Sequence, residues 1–180
     1  MSDHTYFLIE PGSPVLEVIA EAKEMHRAYL ATVEAFAAEF GTKRWYATTK
    51  WQVYVLGLAF DGPPPRGWRE NKSKGYSRPD LRTPEGRAIA PRMKALPNGV
   101  SASKFGSMLD ERFEAIAADP QRSYTAWDGC AVSWTGYEIL GEHTLLCVPA
   151  ACKVSPPGCR GLKMSEYWQL KEAAETAVPA

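Results

Sequence analysis

Between Arg66 and Lys94, nine Lys or Arg residues meet three acids, and Trp68 and Tyr76 stand among them. Guanidinium groups grip phosphate or carboxylate oxygens two at a time, and an aromatic ring beside them offers a flat face to a base or to another guanidinium. Arg66, Trp68, Arg69, Lys72, Lys74, Tyr76, Arg78 and Arg82 therefore form a candidate surface for an anionic, nucleotide-like ligand. Lys43-Arg44-Trp45 and Lys50-Trp51 repeat the same basic-plus-indole chemistry, so Lys43 and Arg44 join the candidate set, while alternation assigns Trp45 and Trp51 to the core. The charge is placed rather than spread. The chain carries 21 basic and 21 acidic residues in all, with five basic against eight acidic in 1–62 and seven against ten in 95–180. The plain alternative is a solvated loop whose positive charges meet that acidic remainder. Zero net charge and a pI near 6.8 argue against a dedicated duplex-binding protein, for which a pI above ~9 is typical. A small anion or an acidic protein surface is the better fit.

Other chemistries are less well supplied. His143, Cys147, Cys152 and Cys159 have zinc-like composition, but the gaps between them hold three, four and six residues instead of paired knuckles, which predicts unmodified thiols and no metal. Cys130 and Cys147 read as core cysteines on strands. A nucleophilic enzyme needs a base, and His4, His26 and His143 stand in no recognisable motif. Glycine-rich phosphate loops are absent, and Asp110, Glu111 and Glu114 read as a wet helix face. Binding without catalysis or cofactor is the leading expectation. The alternative is an enzyme acting on a nucleotide or other phosphorylated metabolite, with the basic segment as lid and a carboxylate as base.

Tyr6–Ile9 reads as a short strand. Ser13 as N-cap and Pro14 at the first position open a long amphipathic helix over about 14–40, which Gly41 stops. At roughly 40 Å it exceeds what a single small sheet covers, which points to a homo-oligomer. Arg44–Thr48 and Trp51–Phe60 read as strands, and Pro63-Pro64-Pro65 ends the sheet. From there to Arg82 neither helical nor strand period appears, which predicts an irregular basic loop within 63–100. Thr83-Pro84 caps a short helix that Pro91 interrupts. A helix over 103–118, a hairpin over 123–134 turning at Asp128-Gly129, strands over 137–140 and 144–148, and a last helix over 165–177 complete the chain. The strands come as hairpins and not as βαβ units. The expected fold is one α+β domain over 1–180, an antiparallel sheet packed on the long N-terminal helix and further helices. No apolar run has the length of a membrane span and no secretory leader is evident, which predicts a cytoplasmic protein.

The order of a short strand, a long Glu/Ala-rich helix, an aromatic strand pair reaching Leu58-Ala59-Phe60, then Pro65-Arg66-Gly67-Trp68-Arg69 and Thr83-Pro84-Glu85-Gly86-Arg87 resembles a poorly characterised family of small accessory proteins of tailed phages and prophages. The resemblance covers about the first hundred residues and carries over no catalytic residue. It implies a setting: counter-defence by binding, either blocking a host protein or sequestering a nucleotide signal.

Overall fold

The computed structural model describes residues 4–48, 53–117, 136–149 and 155–177. The expected hairpin over 123–134, with Cys130, and the positions Lys50, Trp51 and Cys152 lie outside the described residues. The fold is α+β, with two antiparallel four-stranded sheets. The chain divides into two compact units, one built from 1–22 and 102–180, the other from 23–101.

The long helix α1 (Pro14–Glu39) contributes to both units. Its start and stop follow the local chemistry. The Ser13 hydroxyl accepts the amide of Val15, and Gly41, at φ 74°, lets the amide of Thr42 return to the carbonyl of Ala37. The part of α1 beyond Ala22 falls with a second sheet in the same chain, so its length no longer calls for a second subunit.

In the first unit, β1 (His4–Ile9) lies between β7 (His143–Pro149) and β8 (Cys159–Gly161), and β6 (Gly136–Leu140) pairs with β7. Glycine at 141, φ 60°, closes the two-residue β6–β7 turn. Strand β8 lies between the strand over 144–148 and the last helix, where the sequence pattern predicts no element. It forms because Gly158, also at positive φ, packs against Ser13 and brings Cys159 into register with Ile9. Helices α3 (Ala102–Ala117) and α4 (Met164–Thr176) fall within a residue of their expected ends. Tyr167 of α4 stacks on Tyr6 at 4.1 Å between ring centres and donates to Glu138 at 3.1 Å.

In the second unit the strand order is β2 (Arg44–Ala47), β3 (Val55–Ala59), β5 (Tyr76–Pro79), β4 (Trp68–Asn71). This corrects the irregular loop: 68–79 is a hairpin, joined through a turn in which Gly75, φ 72°, donates to the carbonyl of Asn71. Its period was hidden because the inward positions hold only one large apolar side chain, Trp68, and a buried serine, Ser77. Pairing with β3 through Leu58 and Ser77, not local propensity, makes it a strand pair. The core beneath gathers Tyr29, Val33, Phe36 and Ala37 of α1 with Val55, Leu58, Trp68 and Ile89.

Helix α2 (Pro84–Lys94) runs through Pro91 instead of breaking there. Proline removes one hydrogen bond, and the helix is tied at both ends: Thr83 caps Gly86 at 3.0 Å, and the amide of Ala95 returns to Pro91. Gly86 is buried against the preceding turn, where an added Cβ would stand 2.0 Å from the carbonyl oxygen of Asp80. An alanine in a helix normally gains ~1 kcal/mol over glycine, but a backbone clash of this depth costs about 3 kcal/mol. Gly86→Ala is therefore expected to lose about 2 kcal/mol net in a denaturant melt.

Candidate anion-binding face

The structure separates the basic residues that the sequence grouped. Several are already neutralised. Arg66 pairs with Glu85 at 2.8 Å, Arg44 with Asp61, and Arg82 grips both oxygens of Asp80 at 2.8 and 2.7 Å. Lys43 is an exposed residue ahead of β2, and Lys74 sits in the β4–β5 turn.

Trp68 is not a stacking platform. It is 5% exposed and surrounded edge-to-face by Phe36, Phe40 and Phe60, with centroids 6.5, 5.0 and 5.6 Å away. Tyr76 is also buried, at 6% exposure, beneath Tyr46, whose ring centre lies 5.4 Å away. The indole and the phenol were placed on the ligand face by their company in sequence. In a strand, neighbours point to opposite faces, so Trp68 and Arg69 cannot share one.

What remains is a tighter set. Arg69 on β4 and Arg78 on β5 are cross-strand partners, exposed on the outer face of the hairpin. Arg78 donates one hydrogen bond to the Tyr76 hydroxyl at 2.8 Å, which orients its guanidinium and leaves its other donors available. Neither Arg69, Arg78 nor Lys72 forms an ion pair with a carboxylate among the described residues, although Arg69 lies near enough to Asp80 to help hold its charge. Together with the Arg82–Asp80 pair and Glu70 they line a cleft of about 510 Å³.

Asp80 is the anchor of that cleft, and the sequence offered no sign of it. Its side chain holds Arg82, its carbonyl accepts from the capping hydroxyl of Thr83, and its amide donates to Gly67. The hydrogen bond from Arg82 is the main cause that holds the Asp80 carboxyl down, to about 2. A carboxylate with a depressed folded pKa contributes stability above its ordinary value, and that contribution is lost as pH falls through the folded one. The prediction is that Asp80 stays ionised between pH 3.8 and about 2, and that Arg82→Gln moves its midpoint back up. Carboxyl carbon shifts in an NMR titration read this directly, and an unchanged midpoint in the variant would count against the pairing.

The two described cysteines of the zinc-like set, Cys147 and Cys159, lie on different strands. Cys147 pairs with Tyr6 and Cys159 with Ile9, on opposite edges of β1. Burial raises both thiols, Cys159 to about 11, so neither is poised as a thiolate at neutral pH. Among the described residues no three His, Cys, Asp or Glu side chains cluster as metal ligands, and no helix is long and apolar enough to cross a membrane.

No protein-family model, curated protein or solved structure matches this chain.

Proposed function

We propose that the protein binds an anionic partner, a small molecule or an acidic protein surface, through the outer face of the β4–β5 hairpin, with Arg69 and Arg78 as central contacts and Lys72 at the side. The observation that carries this reading is the direct opposition of two arginines, neither of them in an ion pair with a carboxylate among the described residues. Like charges facing each other across a strand pair destabilise it, and stability alone favours an opposite charge at one of the two positions. An anion between them turns that repulsion into charge-assisted hydrogen bonds.

Binding needs no base, and the cleft's anchored carboxylate makes a poor one. Asp80 is held well below the usual range by Arg82, the opposite of what general-base catalysis asks. Blocking a host protein or sequestering a nucleotide signal, the roles a phage setting implies, would both use this face. The proposal itself rests on the hairpin alone.

Titration calorimetry with tripolyphosphate tests it. Saturable binding of one equivalent per chain is expected, weakening as salt rises from about 50 to about 200 mM. The absence of binding at millimolar tripolyphosphate and low salt would sink the proposal.

A further inference from the structure

The open face of this sheet carries one more feature that the charges do not explain. Tyr46 is 44% exposed although it sits within the sheet, on β2 directly across from Gly57 of β3. Alternation along β2 sends Trp45 to the core and Tyr46 to the outer face. Gly57 leaves room there. A Cβ at 57 would come within 2.6 Å of the Tyr76 ring, so the absent side chain lets Tyr76 lie across the strand and Tyr46 lie against Tyr76. The Tyr46 hydroxyl reaches towards the hairpin turn, 3.7 Å from where a Cβ on Gly75 would be. Arg78 stands over the Tyr76 ring, its guanidinium carbon 5.4 Å from the ring centre. The outer face thus links neighbours in pairs: an accessible ring on a buried ring, Arg78 over that buried ring, and Arg69 across from Arg78.

We infer that Tyr46 is a stacking platform for an unpaired nucleobase whose phosphate is held by Arg78 and Arg69. The inference rests on the anion-binding reading above and names its ligand class. An aromatic side chain held against a second ring keeps few alternative rotamers, so little freedom is lost when a base stacks on it. Phosphate-only ligands and acidic peptides have no use for the ring. The ligand chemistry is a base with its phosphate, whether from a free nucleotide or from a single strand, and single-strand sites elsewhere combine basic grooves with such platforms.

The experiment compares ATP, tripolyphosphate and a dT8 oligonucleotide in magnesium-free buffer, for the wild-type chain, Tyr46→Phe and Tyr46→Leu. ATP and tripolyphosphate share the triphosphate and differ in the nucleoside. ATP is expected to bind about tenfold tighter than tripolyphosphate. Tyr46→Phe should keep that ratio, and Tyr46→Leu should bring it to about one with tripolyphosphate affinity unchanged. Tighter binding of dT8 than of ATP supports a strand as the source, and the reverse supports a free nucleotide.

Equal wild-type affinities for ATP and tripolyphosphate overturn the stacking role and leave the anion site standing. So does an unchanged ATP preference in Tyr46→Leu. If Tyr46→Leu loses tripolyphosphate as well, the ring is structural and the inference fails. If the wild type binds none of the three, the anion reading falls with it.

Discussion

Replacing Arg69 and Arg78 together by alanine is expected to lower tripolyphosphate affinity by about 100-fold while leaving the thermal midpoint unchanged or slightly raised. A hydrogen bond to a charged group contributes about 1.5–3 kcal/mol, and ~1.4 kcal/mol is tenfold in affinity, so two such contacts bring the loss to that size. The second half of the expectation distinguishes a site from ordinary surface charge. The two arginines face each other in register on an exposed strand pair, and without an anion they repel. Removing both relieves that repulsion, by about 0.5 kcal/mol at most in a high-dielectric setting. Lys74→Ala, in the turn beyond them, is the matched control and should change affinity less than about threefold. If the double variant melts lower and binds as before, the arginines serve the hairpin and not a ligand.

Trp68→Ala is expected to cost about 4 kcal/mol and to unfold much of the second unit near physiological temperature. The indole is the hub of an edge-to-face aromatic cluster with Phe36, Phe40 and Phe60, and it packs with Leu58 and Ile89. Among the described residues its ring nitrogen is buried without a hydrogen-bond partner. That detail separates two variants that size alone would rank differently. Trp68→Phe gives up part of the buried ring but also removes an unsatisfied N–H, whose burial costs about 1–3 kcal/mol. It should therefore lose less than about 2 kcal/mol, and it should bind tripolyphosphate as the wild type does. Chemical denaturation with circular dichroism reads the first effect, and calorimetry the second. A Trp68→Phe variant that stays fully folded and loses affinity would return the indole to the ligand face.

Both predictions turn on which face of one strand each residue occupies. The three longer helices were legible because thirteen or more residues repeat one period, and helix ends carry their own punctuation. Ser13, Pro14 and Gly41 bound α1, and Thr83 and Pro84 open α2. The longer strands were legible for the same reason: Val55–Ala59 and His143–Pro149 are apolar enough to declare themselves. The hairpin 68–79 was not, because four-residue strands rich in charge carry too few apolar positions to show a period.

By itself, then, the sequence determined the α+β class, the limits of α1, α3 and α4 and the concentration of positive charge in 66–94, since these follow from local composition and spacing. Only the tertiary structure decided which of those charges remain available. Pairing β5 with β3 turned Trp68 inward and Arg69 outward, Asp80 and Glu85 neutralised Arg82 and Arg66, and the glycine at 57 let Tyr76 lie beneath Tyr46. Each of these depends on partners far apart in the chain or on the sense of a strand's pleat, and a one-residue change in register exchanges the two faces of a strand.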